Sequence, residues 1–133
     1  MTIVVDASVA VKWVLPEADS DRAAAIRAAD DDLIAPSLAY AEIGSAIWRA
    51  VLRDDVAARE AREELRIAVA HYRRIVPLEE LAERALELAT HLRHPIYDCF
   101  YLALAERESA PLATADEAMI AAARKAKVKI RRI

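Results

Sequence analysis

Thr2-Ile3-Val4-Val5-Asp6-Ala7-Ser8 is the stretch whose reading decides the fold. A run of strand-forming residues leads straight into an aspartate with no Lys or Arg beside it. An unbroken apolar run of this kind reads as a strand buried on both faces, as in the middle of a parallel sheet. In open α/β sheets ligands bind at the carboxyl ends of the strands. Asp6 therefore stands where such folds carry out chemistry. Asp and Ser are also good helix N-caps, and on this stretch alone capping and chemistry account for Asp6 equally well. Three further acids decide between them.

Working outward, the chain of 133 residues is long enough for one domain with a substantial core, and residues 1–133 are read as that domain. One glycine and five prolines leave little room for linkers, and there is no internal repeat. No apolar run approaches the ~20 residues of a membrane span, and no basic segment with a cleavage site opens the chain. A lone cysteine, Cys99, cannot form an intrachain disulfide, so a reducing cytoplasm is the expected location. The net charge of -3 argues against a simple electrostatic clamp on nucleic acid. It leaves room for a nuclease, because metal ions can bring positive charge to a phosphate. Six basic residues and no acid lie between Arg124 and Arg132.

In chain order, a short apolar helix is expected from Ser8 to Leu15, ended by Pro16, and an Ala-rich helix from Glu17 to Ala29. Asp30-Asp31-Asp32 reads as a solvated turn, and Leu33-Ile34-Ala35 as a short strand stopped by Pro36. Ser37 caps a long helix from Leu38 to Arg53, in which Gly44 suggests close backbone packing. Asp54-Asp55 opens the next helix, to about Tyr72, with Asp55–Arg59 and Arg59–Glu63 pairs on its wet face. Arg74-Ile75-Val76-Pro77 is a strand. Leu78 to Leu92 is an amphipathic helix with Leu81, Ala85, Leu88 and Leu92 inward. Pro95 opens another helix, Ile96 to Glu108. Pro111-Leu112-Ala113 is a strand, Thr114 and Glu117 form a capping box, and Val128 and Ile130 mark a half-buried edge strand guarded by lysines. Strands alternating with helices imply a parallel sheet covered on both faces.

Four acids stand apart from the rest. Asp6, Glu42, Asp98 and Asp116 each lie at a strand end or near a helix start, in apolar surroundings and without a local counterion. If they converge, two of them 4 Å apart repel by about 4 kcal/mol at an effective dielectric near 20, and their pKa values rise. A hard divalent cation removes that conflict, and carboxylate oxygens suit Mg²⁺ or Mn²⁺. Such an ion acidifies a bound water and stabilises charge growing on a phosphodiester.

These residues give the chain its resemblance. It resembles the PIN-domain ribonucleases, and more closely the VapC toxins of bacterial type II toxin–antitoxin pairs. The matching pieces are Val5-Asp6-Ala7-Ser8, Ala41-Glu42, Tyr97-Asp98-Cys99-Phe100-Tyr101-Leu102-Ala103-Leu104-Ala105 and Leu112-Ala113-Thr114-Ala115-Asp116, in an order and spacing that cover nearly the whole chain. No single piece is specific, but the ordered set is. Cys99 departs from the small residue usual after the third acid. The resemblance implies a three-layer α/β/α sandwich around a parallel sheet of about five strands. It implies Mg²⁺-dependent cleavage of single-stranded regions of RNA, with Mn²⁺ as a substitute. Asp6, Asp98 and Asp116 would bind metal, and Glu42 would bind it or orient the attacking water. Ser8 and Thr114 match supporting hydroxyl positions. It further implies a homodimer and a VapB-type antitoxin seated in a groove walled by the helices between Leu38 and Tyr72. Trp13, Trp48 and Tyr40 are candidates to line that groove, and equally for core or dimer contacts. His71, His91 and His94 read as surface residues, Cys99 as core, and Lys12 as a solvated lysine within reach of a phosphate.

Rival readings fail on particular residues. A phosphotransferase of the haloacid dehalogenase type wants a second aspartate where Ser8 stands. A receiver domain wants an acid at the end of the third strand, where Arg74-Ile75-Val76-Pro77 has none. Nucleotide-binding loops need glycines, and Gly44 is alone. A housekeeping RNA-processing nuclease and a non-catalytic RNA- or protein-binding module of the same fold remain as alternatives. The second gives no reason to hold four unpaired carboxylates.

Overall fold

The computed structural model describes residues 1–29 and 31–133. Its first strand, β1 (Thr2–Val5), is the centre of a five-stranded sheet. Ile3, Val4 and Val5 are fully buried, which is what a run without polar alternation requires. Each such side chain contributes about 1.5–3 kcal/mol of burial. β2 (Asp32–Pro36) and β4 (Leu112–Thr114) flank β1, with β3 (Arg74–Val76) and β5 (Ile130–Arg132) at the edges. All pairings are parallel, with Val4 opposite both Ile34 and Leu112. Asp30, the first residue of the acidic turn expected from sequence, lies outside the described residues. Of the other two, Asp32 begins β2 and Asp31 lies near the N-terminal amine and Arg131.

Among the described residues seven α-helices link the strands: α1 (Ala7–Ala10), α2 (Ser20–Ala28), α3 (Leu38–Leu52), α4 (Ala61–Ala70), α5 (Ala82–Leu92), α6 (Ile96–Glu108) and α7 (Glu117–Lys125). The strand order 3-2-1-4-5 means that connections run one way from β1 to β3 and the other way from β3 to β5. Right-handed crossovers therefore set α1–α4 on one face and α5–α7 on the other. Packing agrees: α1 lies on α3, α3 on α4, α5 on α6, and α6 on β1 and β2. The direction of winding reverses between β1 and β4, so their carboxyl ends border the crevice where α/β folds bind ligands. No helix among the described residues is long and apolar enough to cross a membrane.

Several local expectations need correcting. α2 starts at Ser20, not Glu17, because Asp19 takes a left-handed conformation (φ 64°) and the preceding residues form a loop. Asp54-Asp55 does not open α4. Asp54 is left-handed (φ 60°) and the Asp55 N–H donates to the Ala50 carbonyl, so the pair closes α3. Asp55 then pairs with Arg53 and Glu63 with Arg66, in place of the expected pairs through Arg59. α5, α6 and α7 end in the same way. Arg93, Ser109 and Lys127 are left-handed, and the following N–H reaches back to Ala89, Ala105 and Ala123. This closure normally recruits glycine, but the only glycine is elsewhere. A β-carbon at Gly44 would meet no atom within 4 Å, so close packing within the chain does not explain it.

Candidate active site

β1 runs directly into Asp6, whose N–H donates to Ala113 of β4 and whose carbonyl accepts from Val9 and Ala10. Asp6 is thus the N-cap residue of α1 by backbone, yet its side chain caps nothing. Its Oδ2 instead accepts hydrogen bonds from the Ser8 and Thr114 hydroxyls, each at 2.8 Å. The hydroxyls are used twice over: Ser8 Oγ accepts from the Ala115 N–H and Thr114 Oγ1 from the Asp116 N–H. The clip joins the carboxyl ends of β1 and β4 across the crevice. Burial raises the Asp6 pKa, the two hydroxyls pull it back, and the charges of Asp98 and Asp116 raise it further.

Asp116 follows β4 at the exposed rim and caps α7, its Oδ1 accepting from the Ala118 N–H at 3.0 Å. The expected Thr114–Glu117 capping box does not form. Thr114 is the last residue of β4, fully buried, and its hydroxyl is committed to Asp6. Glu117 pairs with Arg132.

Glu42 projects from the second turn of α3. None of its helical neighbours pairs with it, but Tyr101 of α6 donates its hydroxyl to Oε1 at 2.7 Å. Burial is the main cause that pushes the Glu42 pKa up to about 7; Tyr101 opposes it, and Asp6 and Asp98 reinforce it. Asp98 sits in the first turn of α6. His94 Nε2 lies 2.7 Å from its Oδ2, with both side chains mostly shielded. The surface reading of His94 is therefore corrected. Left-handed Arg93 and the His94 N–H bond to Ala89 turn the chain so that the imidazole meets the carboxylate across Pro95.

The four acids thus share one electrostatic environment at the sheet's crevice. Asp6 feels Asp98 and Asp116, and Glu42 feels Asp6 and Asp98. Among the described residues, no Lys or Arg lies within ion-pair distance of any of them. Nor do three His, Cys, Asp or Glu side chains stand ready-made around one point, again among the described residues. Two phenols close the floor. Tyr72 donates to the Val5 carbonyl at 2.9 Å, and both Tyr72 and Tyr101 have pKa values raised by burial and by the acids, so they stay neutral donors. Sequence reasoning missed both: Tyr101 in its apolar run looks like any other core aromatic, and Tyr72 stands among His71, Arg73 and Arg74, far in sequence from every one of the acids.

The remaining candidates separate cleanly. Trp13 is core: its Nε1 donates to Ala23 and its ring lies against His71 and Tyr72. His71 is half-buried there, and burial lowers its pKa. Trp48 and Tyr40 are exposed. Trp48 lines an apolar cleft of about 280 Å³ between α3 and α4, with Gly44, Ile47, Val51, Ala61 and Leu65. Cys99 is fully buried, and burial pushes its thiol up to about 11. Lys12 is not free in solvent: Glu17 Oε2 and the Ala18 carbonyl hold it at 3.1 and 2.9 Å.

Residues 3–125 match the PIN domain family. A VapC ribonuclease of Mycobacterium bovis and ribonuclease VapC9 of Mycobacterium tuberculosis are each 37% identical to the chain over 118 residues, spanning 86% of this chain and 85% of theirs. Among solved structures, VapBC2 from Rickettsia felis bound to a promoter DNA fragment superposes with a TM-score of 0.73 at 15% identity, covering 99% of this chain and 98% of that one. VapC20 of Mycobacterium tuberculosis, a toxin that cleaves the sarcin–ricin loop, superposes at 0.72 with 19% identity, covering 90% and 94%.

Proposed function

The chain belongs to the PIN-domain family, and from that premise we propose that it is a metal-dependent endoribonuclease, the toxin of a VapBC-type pair, cutting single-stranded regions of RNA. The observation that carries the proposal is the acid set itself. Asp6 and Glu42 have raised proton affinity, in part through the neighbouring charges of Asp98 and Asp116, and no Lys or Arg among the described residues lies within ion-pair distance of the four acids. That donor set fits a hard divalent cation, with Asp6, Asp98, Asp116 and Glu42 as the residues that would hold it. When bound, Mg²⁺ or Mn²⁺ supplies an acidified water and charge stabilisation at the phosphodiester.

The chain's own residues do the rest. Ser8 and Thr114 fix the Asp6 carboxylate by one oxygen and leave Oδ1 without a hydrogen-bond partner among the described residues. Tyr101 and His94 hold Glu42 and Asp98 in the same one-sided way. Each carboxylate is therefore oriented before any ligand arrives. Glu42, held by Tyr101 through Oε1, has its second oxygen left to bind the metal or to orient the attacking water.

The apolar cleft beside Trp48 is the seat this reading gives to an antitoxin segment with apolar anchors. A homodimer in the cytoplasm belongs to the same reading. The test is incubation of the purified chain, freed of any partner, with structured and single-stranded RNAs in Mg²⁺, Mn²⁺ or chelator, with Asp6→Asn alongside. Cleavage is expected with metal only, and not by Asp6→Asn. Intact RNA with either metal, together with no metal bound in direct titration, would overturn the reading in favour of a binding module.

A further inference from the structure

Next to Asp116 the surface opens into a second cleft of about 250 Å³, bordered by Ser8, Lys12, Ala46, Arg49 and Glu17. It brings together α1 and the turn after it, α3, and the β4–α7 junction. Its lining carries two cations, Lys12 and Arg49, and two carboxylates, Glu17 and Asp116. The states of the two cations differ. Lys12 is neutralised by Glu17 and bonded to the Ala18 carbonyl, and its side chain is only 11% exposed. Arg49 is exposed and donates only to the neutral Ser45 hydroxyl, one turn back on α3, at 2.9 Å. Among the described residues no carboxylate lies within ion-pair distance of Arg49. Most of the chain's arginines do have such a partner, including Arg53 one turn further along α3.

We propose that this cleft is a phosphate subsite for the RNA strand, in which Arg49 grips a backbone phosphate next to the one that is cut. The proposal rests on the nuclease reading and adds to it a site and a ligand chemistry. A strand entering the crevice meets four carboxylates that repel it, and a cation there answers only the scissile phosphate. A neighbouring phosphate needs its own donor. The guanidinium fork supplies two parallel N–H groups to phosphate oxygens. Lys12, locked by Glu17, shapes the wall and adds a fixed dipole, and Ala46 leaves the floor open between the two. Phosphate contacts of this kind position a strand without reading its sequence. Arg49 is accordingly a positioning residue, with no part in bond cleavage.

The test compares wild type, Arg49→Gln and Arg49→Lys on one single-stranded RNA oligonucleotide. Cleavage in Mn²⁺ gives KM and kcat, and binding is followed by anisotropy across a salt series in an Asp6→Asn background. The expected result for Arg49→Gln is a KM raised about tenfold with kcat within about twofold, the loss of one charge-assisted contact. The slope of log K against log salt should fall by about 0.7, the value for one phosphate contact on a single strand. Arg49→Lys should restore the slope and part of the affinity, which a merely structural residue would not do. If wild type cleaves and Arg49→Gln matches it in KM and salt slope, the subsite is wrong while the nuclease stands. If only antitoxin binding changes, Arg49 belongs to a protein contact and the subsite is again wrong. If wild type neither binds nor cleaves RNA, both readings fall.

Discussion

His94 and Asp98 form a pair one helical turn apart, Nε2 to Oδ2 at 2.7 Å, across a proline that ought to separate them. The imidazole holds one oxygen of an otherwise unpartnered carboxylate and so sets the direction of the other. Partners of this kind behind a ligand typically change metal affinity 10- to 100-fold when removed. His94→Ala is expected to weaken Mn²⁺ binding about tenfold by calorimetric titration while leaving the fold intact. Unchanged affinity would mean that Asp98 is oriented by its helix alone.

The Thr114 hydroxyl is fully buried, donates to Asp6 and accepts from the Asp116 N–H. Thr114→Val keeps the shape and removes both bonds. It should cost about 1–3 kcal/mol in denaturant unfolding, raise the Asp6 pKa further, and lower the RNA cleavage rate. A loss of stability without loss of cleavage would assign Thr114 to the fold only.

Glu42 makes the metal-free protein sensitive to pH. A carboxyl whose pKa is higher in the folded state contributes stability that is complete below its ordinary value of 4.5 and lost as pH rises through about 7. Glu42→Gln keeps an acceptor for Tyr101 and cannot ionise. In chelator, its Tm advantage over wild type should therefore grow from pH 5 to pH 8. Thermal scans at the two pH values check this, and a constant difference would show that Glu42 ionises as freely in the fold as in the unfolded chain.

Trp48 is 59% exposed on the wall of the apolar cleft. Trp48→Glu should shift unfolding by no more than about 0.5 kcal/mol and leave RNA cleavage unchanged, yet abolish inhibition by the co-expressed antitoxin. Full inhibition of this variant would move the antitoxin to another surface.

The left-handed helix ends offer a control far from the acids. Ser109 adopts φ 50° where α6 closes. Ser109→Gly removes a penalty of about 1–2 kcal/mol per left-handed L-residue, less the extra backbone entropy glycine loses. A net gain of about 0.5–1 kcal/mol is expected in equilibrium unfolding, with no change in cleavage.

The fold was legible where one physical signal dominated. Ile3-Val4-Val5 could be nothing but a central strand, and α6 runs from Ile96 to Glu108 because Pro95 fixes its start. Leu81, Ala85 and Leu88 face inward as their helical spacing requires. The signals failed where one residue type has two uses. Asp54-Asp55 has the composition of a helix start but closes α3, since a chain with one glycine must put other residues in left-handed positions. Thr114 fits a capping box by spacing, but the hydroxyl was taken by an aspartate 108 residues away. The acids could be picked out as a set because each lacked a local partner. Of the donors that orient them, the Ser8 and Thr114 hydroxyls came with the family resemblance, but Tyr101 and His94 did not: Tyr101 comes from another element, and His94 reaches Asp98 only through the turn at Arg93.

That Asp6–Thr114 bond also orders events in time. Asp6 is synthesised 108 residues before Thr114, so its hydroxyl clip waits until β4 has been made and has docked beside β1. Asp98 and Asp116 arrive on the same late schedule. A nascent chain halted before β4 therefore carries an unassembled acid pole and is expected to be inert toward RNA, its own message included. Sequence separation in the sheet thus sets when the acid pole can assemble: only after β4 has been translated.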